Sequence, residues 1–338
     1  MSEQLRQFII EVTGASFTEK VDVIQSIWNG YGEISRYIVK TDNLRHVIIK
    51  HVRLPDQEIN PKNNHPRGWN TELSHQRKIK SYEVETAWYQ KFSSRCDDTC
   101  RVPKCYGLKV SGNECFMVLE DLDDHGFPDR KTSASLNDMR ACLKWLANFH
   151  ARFLSFNSSS DNSFDGLWQS GGYWHLATRP DEFAALKGGP LKSAADKIDQ
   201  LLEHCPYRTL LYGDAKLANF CFSIDGHKVA ALDFQYVGAG CGMKDVVYFI
   251  GSCLDEQGCE ERAEKLLDYY FECLKRAIDL SNINIQFEEV EAAWRPLFAV
   301  AWADFHRFLK GWSPDHWKLH GYSERMTNQV LLELGFLE

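Results

Sequence analysis

The 338-residue chain carries 39 Lys and Arg against 47 Asp and Glu, a formal net charge of −8, with 44% hydrophobic and 25% charged residues. At roughly 100 to 200 residues per domain that length means two packed units or one large unit with a cleft, and the composition excludes a disordered, collagen-like or simple coiled-coil chain. The acidic balance argues against a broad nucleic-acid footprint, which needs a basic face, and no stretch reaches the roughly 18 apolar residues of a membrane span.

In chain order, Leu5, Phe8, Ile9 and Val12 recur at helical spacing and predict a short amphipathic helix over residues 1–12. Three β-branched runs follow, near 21–28, 34–40 and 46–52, separated by Asn29-Gly30-Tyr31-Gly32 and by Thr41-Asp42-Asn43. This is the pattern of an antiparallel meander with turn chemistry at both joints. Residues 54–71 form a long polar loop. A helix is expected over 72–92, then two strands, 101–110 and 114–122, joined by Ser111-Gly112-Asn113.

Beyond Asp123 the periodicity is helical. Helices are expected over 136–156 and 191–204, with a loop-like stretch at 157–165 between them. Further helices are expected near 244–254, 260–280, 288–310 and 324–334. Within this half two short apolar runs, 220–224 and 228–232, turn at Asp225-Gly226 as a small hairpin. A strand-rich first part and a helix-rich second part imply α+β rather than an alternating parallel sheet.

The 11 cysteines are spread without C-x-x-C pairs, and the N-terminus MSEQLRQFIIEV lacks the basic and apolar regions of a signal peptide. We therefore expect free, mostly buried thiols in a reducing cytoplasm. The spacing of Cys96, Cys100 and Cys105 does not fit a zinc knuckle.

The most informative stretch is Leu211-Tyr212-Gly213-Asp214-Ala215-Lys216-Leu217-Ala218-Asn219-Phe220, followed by Leu232-Asp233-Phe234-Gln235. An Asp, an Asn five positions later and a second Asp leaving a hairpin supply one proton acceptor and two oxygen ligands for a hard cation. Phosphoryl transfer needs such a set, because it depends on positioning and charge stabilisation with Mg2+ bridging phosphate oxygens. Since Mg2+ completes its shell with phosphates and water, one Asn and one Asp suffice as protein ligands.

This segment resembles the catalytic loop and metal-binding Asp of the aminoglycoside phosphotransferase and choline kinase superfamily, and within it the ecdysteroid-kinase-like branch. The resemblance implies a bilobal, protein-kinase-like fold with an antiparallel N-lobe sheet and a mainly helical C-lobe, binding ATP and phosphorylating a hydroxyl. It assigns Asp214 as catalytic base, Asn219 and Asp233 as Mg2+ ligands, and Lys216 as a lysine near the γ-phosphate. Where the family usually has His two residues before the Asp, this chain has Tyr212.

Upstream, Val47-Ile48-Ile49-Lys50 closes the third run, and a lysine inside a β-branched strand is costly unless its ammonium has an acceptor. The resemblance gives Lys50 the ATP phosphates and a helix Glu. Of Glu83 and Glu85, Glu85 stands three and four residues before Trp88-Tyr89, as in the family helix. Gly30 and Gly32 take the place of the phosphate-covering loop, and Glu120 and Leu122 that of the hinge offering backbone groups to adenine. His150 reads as a core histidine, and Asp245 as an N-terminal cap or loop brace.

The division expected is 1–122 for the nucleotide lobe and 123–338 for the helical lobe with the acceptor pocket. Seven of the ten Trp lie after position 140. The segment Trp302–Phe308 is the expected pocket wall, combining aromatic faces with the Asp304 carboxylate, and residues 312–320 its rim. The expected substrate is a small alcohol or amino-alcohol, choline ranking below an unspecified alcohol. No nucleic acid, membrane or obligate protein partner is expected. The alternative is a catalytically silent kinase-like module that holds a ligand or partner. A protein kinase is a weaker option, because no A-P-E-like segment follows Asp233.

Overall fold

The structure is a computed structural model and describes residues 3–27, 30–54, 71–156, 164–281 and 283–338. Most of the polar loop expected over 54–71, the turn residues Trp28 and Asn29, and residues 157–163 of the second loop lie outside the described residues.

Helix α1 (Glu3–Thr13) buries Leu5, Phe8 and Ile9. They pack on a sheet built from β1 (Phe17–Ser26), β2 (Gly32–Lys40), β3 (Leu44–Arg53), β4 (Cys105–Ser111) and β5 (Glu114–Glu120). The strand order is β1-β2-β3-β5-β4, antiparallel throughout. Side chains alternate across a strand, so Val47 and Ile49 of β3 join α1, Phe116 and Val118 in one cluster, while Ile48, Lys50 and Val52 turn to the opposite face. The third strand therefore does not close at Lys50. It runs on to Arg53, placing the lysine inside the ladder opposite Ile34 and Met117.

Helix α2 (Thr71–Ala87) continues into one π-helical turn, Trp88–Phe92. The extra residue in that turn brings Trp88, Tyr89 and Phe92 into the main core.

After the short strand β6 (Asp129–Arg130), α3 (Leu136–Phe153) starts from a capping box between Ser135 and Asp138. Next come β7 (Ser155–Phe156), α4 (Pro180–Ala185), α5 (Pro190–Ser193) and α6 (Ala195–Glu203). Strands β8 (Tyr207–Leu211), β9 (Phe220–Phe222), β10 (Val229–Ala231) and β11 (Gly238–Gly240) follow. The chain closes with α7 (Met243–Cys253), α8 (Glu256–Leu280), α9 (Phe287–Trp294), α10 (Leu297–Trp312) and α11 (Gly321–Glu333).

The expected hairpin is β9–β10, and β6 extends it to three strands. A second small sheet, β11-β8-β7, has no counterpart in the sequence reading. Its pairing joins segments far apart in the chain, and Gly238-Ala239-Gly240 has little intrinsic strand preference. The single helix expected over 288–310 is instead α9 and α10, divided at Arg295-Pro296, where a proline interrupts the hydrogen-bond ladder.

The arrangement is α+β and two-lobed, with the five-stranded sheet at the N-terminal end and the helices after it. All 11 cysteines are free, eight of them buried. Among the described residues no helix is long and apolar enough to cross a membrane.

Candidate active site

A cleft of about 680 Å3 opens between the inner face of the five-stranded sheet and the β9–β10 hairpin. Its walls carry apolar side chains, among them Ile27, Ile34, Ile48, Leu119, Leu122 and Leu232, together with the polar Lys50, Lys78, Glu85, Asn219, Asp233 and Gln235.

Lys50 is 5% exposed, and Nζ lies 2.8 and 2.6 Å from the two carboxylate oxygens of Glu85 and 3.7 Å from Asp233 Oδ1. Burial pulls its pKa down, but the charges of Glu85 and Asp233 outweigh this and hold it above the ordinary lysine value. Glu85 shares a helical face with Tyr82, Trp88 and Tyr89, all buried. That face directs the carboxylate to Lys50, as the E-x-x-W-Y spacing implied. Glu83, the other candidate, is on the exposed side and pairs with Lys80.

Asp214 follows β8 and is 4% exposed. Lys216 Nζ is 2.8 Å from its Oδ2, and Asn219 Nδ2 donates to the same oxygen at 3.0 Å and to the Asp214 carbonyl at 2.9 Å. Burial lowers the Lys216 pKa, yet the adjoining Asp214 charge leaves it raised. The loop turns at Gly213, whose φ is +84° and where an added Cβ would stand 2.1 Å from the Tyr236 carbonyl oxygen. No other residue fits there.

Asp245 braces this loop from the first turn of α7. Its carboxylate accepts from the Tyr212 and Gly213 N–H groups at 2.5 and 2.9 Å and lies 3.1 Å from His150 Nε2. Of the two roles expected for Asp245 the structure shows the brace, since the cap position is Gly242. His150 is fully buried, with Nδ1 on the Tyr270 hydroxyl. The Tyr212 hydroxyl, at the position of the family's histidine, donates to the Leu232 carbonyl just before Asp233.

Asp233 has φ +62°, the one non-glycine residue with positive φ among the described residues. Such strain persists only where the surroundings over-determine it. Here Leu232 N–H is tied to the Asn219 carbonyl and Tyr212 holds the Leu232 carbonyl.

The donor set suits a hard cation. Asp214 Oδ1 and Asp233 Oδ1 are buried without a hydrogen-bond partner, the second with the Lys50 ammonium at 3.7 Å, and both are open to a cation or a hydroxyl. Asn219 commits its amide nitrogen to Asp214, leaving Oδ1 as its remaining donor atom. One or two such oxygens are what Mg2+ takes from a protein.

Not every expected residue converges here. Gly30 and Gly32 do not line the cleft. The φ of Gly32, +134°, serves pairing with β3, because an added Cβ would lie 1.9 Å from the His51 carbonyl oxygen. Glu120 and Leu122 are on the cleft wall, but the Leu122 carbonyl accepts from His125 and Phe127 N–H groups, so only its N–H remains to offer. The Glu120 side chain is bound to Arg101 and to the Lys104 N–H.

The expected acceptor wall is corrected. Asp304 is fully buried and accepts from Arg307 Nε and Nη2 at 2.9 and 2.7 Å, so its carboxylate faces no substrate. Trp302 packs on Phe298 and Tyr322 in the core. Phe305 contacts Trp174 and Tyr248, and Tyr248 lies beside Asp214.

Sequence reasoning missed Lys78 and Gln235. Gln235 Oε1 accepts from Lys78 Nζ at 2.8 Å while its Nε2 donates to Glu85 at 3.2 Å, tying α2 to the Asp233 segment. Burial draws the Lys78 pKa down to about 8, against the pull of Asp233. The loose apolar spacing of α2 was the available signal that its polar residues are also covered.

The ecdysteroid kinase-like family matches residues 68–170 and 178–283. No curated protein matches the chain. Among solved structures, a choline kinase from Streptococcus pneumoniae aligns over 98% of this chain and 98% of its own, at 12% identity and TM-score 0.42. A Plasmodium vivax ethanolamine kinase aligns over 94% of this chain and 82% of its own, at 11% identity and TM-score 0.45. The streptomycin–ATP ternary complex of APH(2″)-IIa aligns over 97% and 98%, at 13% identity and TM-score 0.47. The family match takes in Glu85, the loop of Asp214 and Asn219, and Asp233, and extends over more than half of the chain: the protein belongs to the ecdysteroid kinase-like family and has its bilobal, protein-kinase-like fold.

Proposed function

We propose that this protein is a phosphotransferase that moves the γ-phosphoryl group of ATP to a hydroxyl of a small molecule. The observation that carries the reading is the convergence of the Lys50–Glu85 pair, Asn219 and Asp233 on one cleft, with Asp214 tied to Asn219 and with an oxygen on each of Asp214 and Asp233 that accepts no hydrogen bond. A catalytically silent module has no need of all of these together.

In this reading the apolar walls of the cleft take the adenine, and residues 1–122 act as the nucleotide lobe. Lys50, oriented by Glu85, binds phosphate oxygens. Asn219 and Asp233 would hold Mg2+, which would supply charge neutralisation on the triphosphate. Asp214 orients the acceptor hydroxyl at Oδ1 and takes its proton as the new P–O bond forms and ADP leaves. Lys216 holds the opposite carboxylate oxygen and is placed to approach the transferred group. Residues 123–338 select the acceptor. The free thiols fit a reducing compartment such as the cytoplasm.

Calorimetric titration of the whole chain with ATP, with and without Mg2+, tests the reading. Expected are Mg2+-dependent binding and its weakening by tenfold or more, on the order of 1.4 kcal/mol, in Asp233→Asn. Absence of any nucleotide binding in the wild type contradicts it.

A further inference from the structure

In the phosphotransferase reading the acceptor meets Asp214, and the ring beside Asp214, Tyr248, is faced by a cation, Lys318. Lys318 belongs to the segment between α10 and α11 and is half-buried. Its ammonium stands 5.2 Å from the ring centre of Tyr248 and 5.5 Å from those of Phe305 and Trp317. Among the described residues no carboxylate lies within 4 Å of it. Tyr248 lies beside Asp214, and Lys318 feels the charges of both Asp214 and Lys216.

A second cation, Arg179, buried and paired with Glu182 at 3.3 Å, stacks 4.0 Å over Tyr173 and 5.7 Å from Phe308. Tyr173 in turn meets Tyr236 and Phe308 edge-on. A quaternary or primary ammonium is held in proteins by aromatic faces and carboxylates. Here faces of Tyr248, Phe305 and Tyr173 are already covered by the protein's own cations, and Asp304 is sealed against Arg307. Glu182 is taken by Arg179, and Asp214 is required by the chemistry.

We propose that Lys318 is a specificity-determining residue: it admits acceptors that carry an oxygen hydrogen-bond acceptor and no cationic group, and rejects ammonium alcohols. This rests on the phosphotransferase reading and narrows its substrate class. Burial lowers the lysine's pKa to about 8, with the Asp214 charge opposing, so the side chain is still mainly cationic at neutral pH. A like charge placed a few ångströms away in a partly buried site costs a factor on the order of 10 to 100 in affinity.

The test uses matched pairs on the full chain with Mg·ADP present: choline against its uncharged carbon isostere 3,3-dimethylbutan-1-ol, and ethanolamine against glycolate. Ligand-observed NMR titration reads affinity without depending on turnover. ADP release from Mg·ATP provides rates for the same pairs. The uncharged or anionic member is expected to be favoured 10- to 100-fold in the wild type. In Lys318→Met the preference narrows to within about threefold, and in Lys318→Glu it inverts. Equal affinities within the pairs, no affinity for any member, or a preference unchanged in Lys318→Met overturns the proposal. Preference for the ammonium members together with Mg·ATP binding sinks this inference and leaves the kinase reading standing. Failure to bind Mg·ATP in the first place sinks the kinase reading.

Discussion

Two buried lysines, one in each half of the molecule, share their residue chemistry and differ in what surrounds them. Lys50 is 5% exposed and Lys244 is 1% exposed, and each has a carboxylate near it. Lys50 sits 2.6 Å from Glu85 on the wall of a large cleft. Lys244 lies 3.9 Å from Asp304 Oδ2, with Arg307 on the other oxygen and the Trp174 ring 5.9 Å away. The first pair borders a cleft that Asn219 and Asp233 share. The second is enclosed by α7, α10 and the segment at Trp174. A buried ion pair is thus no sign of function by itself. What marks the Lys50 pair is its open side and its link through Gln235 to Asp233.

The sharpest way to separate the two regions is to remove one carboxylate from each. Asp214→Asn should lower turnover on the order of 10³-fold or more while Mg·ATP affinity stays within about threefold, measured by steady-state kinetics and calorimetry. Asp304→Ala should act on folding, because it leaves Lys244 and Arg307 uncompensated. Urea unfolding should show a loss of about 3 to 5 kcal/mol.

The comparison is reversed by replacing a whole pair. In Lys50→Met/Glu85→Leu the burial cost of both charges disappears together, so stability should move by about 1 kcal/mol or less. Mg·ATP affinity should fall about 10- to 100-fold, or about 1.4 to 2.7 kcal/mol.

A gradual effect, spread over pH, belongs to His306 in α10, whose pKa burial holds down to about 3, with Lys310 and His320 adding to the depression. Since the folded value lies below the ordinary one, this histidine's contribution is complete above pH 6.5. It is lost as pH falls, because only the unfolded chain takes up the proton. Stability should drop by about 1.4 kcal/mol per pH unit from this group between pH 6.5 and 3. His306→Gln should remove that part of the slope in urea midpoints measured across the range.

Much of the fold and part of the site were legible because they depend on short-range spacing. The meander of β1–β3, the interior Lys50 and the spacing of Asp214 and Asn219 follow from local patterns, while the choice of Glu85 over Glu83 and the place of Lys216 were what the resemblance implied. Lys78, Gln235 and Tyr248 were not legible, since their convergence depends on packing between segments far apart in the chain, whereas Lys318 falls in the rim expected over 312–320. The positive φ of Asp233 likewise comes from ties to Asn219 and Tyr212. Asp304 was misplaced although its helix held the signal: Arg307 stands at i+3, the spacing of a pair that satisfies itself. Gly30 and Gly32 illustrate the opposite ambiguity, because a hairpin pairing and a phosphate-covering loop favour the same residue.

The most direct test of the central claim is 31P NMR of the whole chain with Mg·ATP and a panel of uncharged and anionic alcohols. The account predicts loss of the γ signal, appearance of ADP and growth of a phosphate monoester resonance, none of which occurs with Asp214→Asn. Mg·ATP left intact throughout the panel, or converted only to ADP and inorganic phosphate at a rate unchanged in Asp214→Asn, would contradict it.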